Sequence, residues 1–157
     1  AGWGHRTATM RLQDKFAGAD GRAHVFPHLR AAIEDAYRRA GVSSPEELDL
    51  IETHDCFTIT EYMAIDHFGI TAPGEAWRAV EDGTIAASGR LPVNPSGGLI
   101  GLGHPVGATG VRMLLDAHRQ VTGDAGACQV AGARRAATLN IGGSATTSVC
   151  FVAEAVA

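Results

Sequence analysis

Apolar residues recur at helical spacing in three long segments of the chain. In the first, five apolar residues follow the three-and-four spacing of a helix between Pro27, which suits a first turn, and Gly41, which suits a helix end. The same spacing predicts helices over residues 58 to 68, ended by Gly69, and over about 106 to 121. Shorter helical pieces are predicted after residues 43 to 45 and over 75 to 82. The apolar positions of the first helix are Leu29, Ile33, Ala36, Tyr37 and Ala40.

The remaining apolar runs are typical of strands. Segments rich in β-branched and apolar residues predict strands over residues 48 to 53, 135 to 140 and 145 to 153, and residues 3 to 12 predict an opening strand with imperfect alternation. The Gly-Gly pair within residues 141 to 144 indicates a hairpin between the last two strands. Residues 13 to 26 and 123 to 133 are expected to be loops, and residues 84 to 93 a connector. Helices alternating with strands and closed by a hairpin predict a single three-layer α/β domain over residues 1 to 157, with a mixed sheet.

Composition narrows the function classes. The 157 residues, 45% of them hydrophobic, suffice for a core of ordinary size. A net charge of −4 with no basic run argues against nucleic-acid binding, and no apolar run is long enough to cross a membrane, so we expect a soluble, cytoplasmic protein. The three cysteines are too widely spaced for a disulfide framework or a zinc ribbon, which predicts reduced thiols. Because the chain does not begin with Met, we expect a processed product or one piece of a longer polypeptide.

The strongest candidate for chemistry is a glycine-rich stretch over residues 94 to 110. Six of its seventeen residues are Gly, a helical pattern follows it, and His104 lies within it. Such a loop allows close approach of backbone to a ligand, and the following helix offers unpaired N–H groups. No Gly-Lys-Ser/Thr follows, and the stretch does not open the first strand-to-helix unit of the chain with an acidic residue about 20 positions on, so a nucleotide-binding loop is a poor match. A tight connection without a ligand is the alternative.

A second candidate lies at the predicted end of the strand over residues 48 to 53. His54, Asp55 and Cys56 follow the C-terminal end of that strand, which is where the binding and catalytic residues of α/β sheets usually lie. A thiol and an imidazole facing His104 suit acyl chemistry. The alternative is a buried structural Cys beside a satisfied His. Asp55 is expected to cap a turn or helix.

Four segments, in order, resemble the C-terminal half of a thiolase. They are His-Asp-Cys-Phe at residues 54 to 57, Asn-Pro-Ser-Gly-Gly at 94 to 98, Gly-His-Pro-Val-Gly-Ala-Thr-Gly at 103 to 110, and Asn-Ile-Gly-Gly at 140 to 143. The first of them is similar to the sterol-carrier-protein type, where other thiolases have Asn-Glu-Ala-Phe. The resemblance covers nearly the whole chain, from about Pro27 onward, and implies half of a thiolase fold.

The resemblance also implies roles for individual residues. His104 would activate the nucleophilic cysteine and help to hold a thioester oxygen, His54 would complete that oxyanion site, and Cys56 would be the acid/base that moves the α-proton. The N–H of Gly142 would serve a second oxyanion site. The glycine loop would border the pantetheine of coenzyme A, through Asn94, Gly97, Gly98 and Gly103. Coenzyme A enters as a substrate, with no metal and no further cofactor.

Two departures from the family pattern shape the expectation. Asn140 stands where many thiolases have a second acid/base cysteine, which fits the role given to Cys56. Neither Cys128 nor Cys150 has the setting of the nucleophile, which thiolases carry in their N-terminal half. The chain should therefore be a C-terminal domain, inactive alone, that needs an N-terminal partner domain or subunit and exposes an apolar face to it. The complete enzyme is expected to be a homo-oligomer.

Three functions follow as hypotheses. The first is acyl transfer on 3-ketoacyl-CoA or acetyl-CoA. The second keeps the fold but cleaves the side chains of steroid-CoA thioesters by an aldol reaction. The third is a non-catalytic module that binds acyl-CoA or acts as a scaffold.

Overall fold

A four-stranded mixed sheet forms the middle layer of the computed structural model, which describes residues 1 to 156. In the order across the sheet β1-β4-β3-β2, β2 pairs with β3 in parallel and the other pairs are antiparallel. The strands are β1 (Gly2–Thr7), β2 (Leu50–Thr53), β3 (Arg135–Gly142) and β4 (Thr147–Glu154). Because β2 and β3 are parallel neighbours, their C-terminal ends meet at one edge of the sheet.

Six α-helices connect or cover the strands within the described residues. They are α1 (Leu12–Ala17), α2 (Pro27–Ala40), α3 (Thr58–Phe68), α4 (Ala76–Glu81), α5 (Gly98–Leu102) and α6 (Thr109–Thr122). Single 3-10 turns lie at Pro45–Glu47 and Gly126–Cys128. No helix in this part of the chain combines the length and apolar character needed to cross a membrane.

The two long helices α2 and α6 pack on opposite faces of the sheet. Alternation along β3 directs Ala137 and Leu139 into the larger core with α2, while Ala136 packs with Ala117 of α6. A Cβ at Gly4 of β1 would lie 1.9 Å from the carbonyl oxygen of Ala32, so glycine is what allows α2 to approach this closely. The predicted three-layer α/β architecture with a mixed sheet and a C-terminal hairpin is thus confirmed.

Two predicted boundaries near the start of the chain were wrong. Residues 13 to 26, expected to be a loop, contain α1, and β1 ends at Thr7 rather than residue 12. Lys15 of α1 is buried, and its Nζ donates to the Ser144 carbonyl oxygen at 2.5 Å and to Thr146 Oγ1 at 3.0 Å. These contacts with the β3–β4 turn hold α1 in place, and they join residues that are distant in sequence.

The glycine stretch contains more regular secondary structure than expected. It contains the short helix α5, and α6 begins at Thr109 rather than at about residue 106. The hairpin turn also lies later than predicted, because β3 continues to Gly142. Left-handed φ values of 55°, 53° and 61° at Gly143, Ser144 and Ala145 then turn the chain into β4.

Candidate active site

Strand β2 ends directly at the first candidate residues. The N–H of His54 donates to the Leu139 carbonyl oxygen at 3.0 Å, which extends the pairing with β3 by one residue. His54 and Asp55 are buried, and Cys56 is half-buried with a free thiol. The sheet edge therefore fixes the backbone from which these three side chains project.

His104 meets His54 from the glycine stretch. The two imidazole rings are perpendicular, with centroids 4.8 Å apart. His104 Nδ1 lies 2.7 Å from Thr109 Oγ1, and that hydroxyl donates in turn to the Pro105 carbonyl oxygen at 3.1 Å. Since the only hydroxyl proton is used on Pro105, Thr109 accepts from Nδ1–H of His104. This leaves Nε2 of His104 as the basic nitrogen, the tautomer that a general base requires.

Burial favours the neutral form of His54. Desolvation lowers the pKa of this imidazole below its ordinary value, and the neighbouring His104 lowers it further, while Asp55 and the Asn140 side chain act in the opposite direction. Among the described residues, the buried Nδ1 of His54 has no hydrogen-bond partner. A buried polar nitrogen without a partner is available to a ligand or a water molecule.

A cavity of about 430 Å³ joins the two histidines to Cys56. Its polar lining includes Asn140 and the exposed glycines at the end of β3, and most of the remaining lining is apolar. A second cavity of about 360 Å³ shares Cys56, Phe57 and His104 with it. Cys56 and His104 thus line both cavities. The lining residues of the first cavity are Leu12, Phe26, Leu29, His54, Cys56, Phe57, Thr60, Met63, His104, Val106, Asn140, Ile141, Gly142, Gly143, Ser144 and Ala145.

Two buried carboxylates hold the glycine stretch against β2. Glu52 accepts from the Ser96 N–H at 3.1 Å and from Ser96 Oγ at 2.7 Å, and Asp55 Oδ1 accepts from the Leu99 N–H at 2.6 Å. Burial raises the pKa of Glu52 to about 7. The bond from Asp55 caps the first turn of α5, the role expected for it. The strand end that carries His54 therefore also anchors the segment that carries His104.

Asn94 is part of the same scaffold. Its Oδ1 accepts from the Thr53 N–H at 2.7 Å, and its Nδ2 donates to Glu61 Oε2 at 2.8 Å. The residue has a φ of 53°, a left-handed conformation that Asn tolerates better than most residues. With both ends of its amide engaged, Asn94 acts on the backbone of β2 and on α3.

The structure separates the predicted site residues into two groups. His54, Cys56, His104 and Gly142 line one cavity, whereas the four residues predicted to bind substrate lie outside its lining. Of these four, Gly98 is buried against Asp55, Asn94 is half-buried, and Gly97 and Gly103 are exposed. Direct contact of these residues with pantetheine stays a prediction.

Sequence reasoning missed several contributors to the site. Thr109 lies within the Gly-Ala-Thr-Gly segment, but its contact with His104 depends on a turn that the sequence does not specify. Asn140, noted in the sequence only as a departure from the family pattern, lines the cavity. A Cβ at Gly110 would lie 2.6 Å from its Nδ2, so that glycine makes room for the amide. Phe26, Leu29 and Met63 form the apolar wall of the cavity. Leu29 was predicted as an apolar position of the first helix, whereas Phe26 fell in a predicted loop and Met63 was not singled out.

Comparison with known proteins places these features in a family. The family model for the thiolase C-terminal domain-like group matches residues 17 to 155. An acetyl-CoA acetyltransferase of Methanothermobacter thermautotrophicus is 42% identical over 121 residues, which are 77% of this chain. Sterol carrier protein 2 of Gallus gallus is 39% identical over 113 residues, or 72% of the chain. A solved structure, the Ltp2-ChsH2(DUF35) aldolase, superposes with a TM-score of 0.78 over 99% of the chain at 20% identity, which is a likeness of fold.

All three matches are to longer proteins. The chain covers 31% of the length of the acetyltransferase, 20% of that of sterol carrier protein 2 and 39% of the aldolase chain.

Proposed function

The chain belongs to the thiolase C-terminal domain-like family, and from that premise we propose that it is the acid/base half of a thiolase that acts on 3-ketoacyl-CoA or acetyl-CoA. The observation that supports this most is the shared lining of one cavity by Cys56, His54 and His104. Sequence likeness to an acetyl-CoA acetyltransferase agrees with it. Coenzyme A is a substrate in this proposal, and no metal takes part.

The proposed thiolysis begins with a thiolate on the partner domain. That thiolate attacks the 3-keto carbon, the bond between C2 and C3 breaks, and C2 takes a proton from the Cys56 thiol, so that acetyl-CoA leaves and the rest of the acyl chain stays on the partner's sulfur. A coenzyme A thiol then gives its proton to the Cys56 thiolate and attacks the acyl-enzyme carbonyl. The thioester bond to the partner's sulfur breaks, which frees its thiolate and releases the shortened acyl-CoA. A positioned proton-transfer group of this kind contributes about 10²–10⁴ in rate.

The histidines would stabilise the charges that form in these steps. The basic Nε2 of His104 would take the proton of the nucleophilic thiol, which the tautomer set by Thr109 supports. As an imidazolium, His104 would then donate to the thioester oxygen together with neutral His54. The N–H of Gly142 would face the second oxyanion, and each such donor contributes about 10²–10³.

The nucleophile must come from another domain or subunit in this proposal. The chain spans less than a third of the acetyltransferase that it resembles, which leaves room for one. The surface supports a docking face on α6, where Val111 and Leu115, about one turn apart, are 71% and 44% exposed. Replacing Leu115 by Asp should weaken association with the partner half without unfolding the free chain. An unchanged association constant would argue for another docking face.

The experiment that tests the function is thiolysis by the complete enzyme with Cys56→Ala. Loss of about 10²-fold or more in kcat is expected if Cys56 carries the proton. The matched control is Cys128→Ala, since Cys128 is an exposed free thiol that does not line the cavity. An unchanged rate in Cys56→Ala would instead favour the non-catalytic acyl-CoA-binding or scaffolding module.

A thiolase-like aldolase is the second candidate, favoured by the fold shared with the Ltp2-ChsH2(DUF35) aldolase. At 20% identity that likeness carries no residue roles, whereas the closer sequence relatives include one named for acyl transfer. Supplying coenzyme A with a 3-ketoacyl-CoA, and separately a β-hydroxyacyl-CoA of a steroid side chain, distinguishes the two reactions. If the enzyme releases an aldehyde or ketone from the β-hydroxyacyl-CoA and does not cleave the 3-ketoacyl-CoA, the function is aldol cleavage and not acyl transfer. Homo-oligomerisation and a cytoplasmic location remain predictions.

A further inference from the structure

His67 is a fully buried histidine that the proposed reaction does not use. It lies near the end of α3, where its Nε2 accepts from the N–H of Phe26 at 3.2 Å and its Nδ1 donates to the Met63 carbonyl oxygen at 2.6 Å. Because an amide N–H can only donate, Nε2 must be the unprotonated nitrogen. One neutral imidazole therefore ties the start of α2 to the body of α3.

Both residues that His67 holds line the cavity beside Cys56. Phe26 and Met63 contribute to its apolar wall together with Leu29. Phe26 is the N-cap residue of α2 and caps it with no side-chain hydrogen bond, so the bond to His67 is what fixes its backbone N–H. The Phe26 ring also packs against the His67 ring, with centroids 6.3 Å apart. A shift of the imidazole would thus move the wall.

We propose that His67 is a positioning residue that sets the apolar wall of this cavity and thereby selects which acyl groups the enzyme accepts. The inference rests on the proposed function, because it takes the cavity to hold the acyl part of an acyl-CoA. At about 430 Å³ the cavity falls within the range of roughly 300–1,000 Å³ that small-molecule sites occupy. An acetyl group would leave most of it empty, so the wall favours longer or bulkier acyl groups.

The groups around His67 hold it without replacing its bond to Phe26. The Arg30 guanidinium donates from Nη1 to the His67 carbonyl oxygen at 2.7 Å, and the His24 ring lies 5.2 Å away between centroids. Asp66 precedes it on α3. None of these contacts satisfies the Phe26 N–H, which depends on the imidazole nitrogen. Removing that acceptor leaves a buried donor unpaired, and the start of α2 must move to reach another partner.

The test compares two variants of the complete enzyme. His67→Gln retains an acceptor that can reach the Phe26 N–H, whereas His67→Leu has similar bulk and no acceptor. For each, kcat and KM are measured for thiolysis of acetoacetyl-CoA and of 3-ketooctanoyl-CoA. We expect His67→Leu to lower the preference for the longer substrate about tenfold, mainly through KM, the size of effect that a changed apolar pocket produces. His67→Gln should stay within about twofold of wild type, because the hydrogen bond is kept.

The control is His118→Leu, since His118 is an exposed histidine of α6 outside the cavity lining. An unchanged substrate ratio in His67→Leu would overturn the inference, and so would an equal shift in His67→Gln. Should His67→Leu fail to fold, Phe26→Leu changes the same wall directly, and an unchanged ratio there would overturn the inference as well. Absence of thiolysis in the wild-type enzyme would instead overturn the proposed function.

Discussion

Replacing Gly98 by Ala tests how the two parts of the site are joined. Gly98 has a φ of 61°, and a Cβ built on it would lie 2.2 Å from Asp55 Oδ2 and 2.7 Å from its Cγ. Asp55 is buried and accepts from the Leu99 N–H, so it can move away only by giving up that bond. The substitution therefore acts on the residue between His54 and Cys56 without changing either of them.

The expected cost has two parts. A non-glycine residue in the left-handed region costs roughly 1–2 kcal/mol. Loss of a buried hydrogen bond to a charged group costs roughly 1.5–3 kcal/mol more. Together these terms lower the free energy of unfolding by roughly 2.5–5 kcal/mol, which is a large fraction of the stability of an ordinary domain.

Two other glycines separate the contributions when urea unfolding of the purified chain is compared. Gly41, with a φ of 66° and no atom within 4 Å of a built Cβ, carries only the backbone cost in Gly41→Ala. Gly107 has neither a left-handed φ nor a nearby atom, so Gly107→Ala should change stability by less than about 1 kcal/mol. If Gly98→Ala loses no more stability than Gly41→Ala, the argument that Asp55 holds the glycine stretch is wrong.

Three further substitutions have defined outcomes in the same unfolding assay. Burial lowers the pKa of His67 from 6.5 to about 4. The free energy of unfolding should therefore fall by roughly 3 kcal/mol as the pH falls through that range, and His67→Gln should abolish this pH dependence. Burial raises the pKa of Glu52 from 4.5 to about 7, so stability falls as the pH rises between these values, and Glu52→Gln should be the more stable protein at pH 8. Lys15→Met removes both hydrogen bonds from α1 to the β3–β4 turn and should cost roughly 1–3 kcal/mol. A wild-type free energy of unfolding that does not change with pH would contradict the pKa shifts of His67 and Glu52. Unchanged stability in Lys15→Met would contradict the two hydrogen bonds of Lys15.

Local signals explain why some elements were predictable and others were not. Helix α2 was predicted with its bounds because Pro27 and Gly41 mark its ends and its apolar residues face one side. Helix α1 was missed because its stability comes from Lys15 reaching the turn near Ser144, a contact across most of the chain. The start of α6 was misplaced because the residues after Pro105 form a turn whose hydrogen bonds involve the Thr109 side chain.

The same distinction between local signals and distant contacts applies to the candidate site. His54, Cys56 and His104 could be named because residue type and motif order indicate them. Thr109, which orients His104, and His67, which holds the apolar wall, could not be named, since both act through hydrogen bonds to a neighbouring ring or to backbone atoms. Such contacts depend on angles between elements, which residue spacing does not encode.

The geometry of the site follows from one parallel strand pair. Thr53 lies opposite Leu139 in the register of β2 and β3, so His54, which directly follows the end of β2, lies beside Asn140, where β3 continues along β4. A slip of one residue would turn these side chains to the other face of the sheet. Carboxylates at Glu52 and Asp55 then bring the glycine stretch, and with it His104, to the same edge. Since all of these contacts lie within the chain, the imidazole pair is formed before any partner docks. In the proposed assembly, association with a partner half therefore need not order this part of the site, which lowers the cost of association.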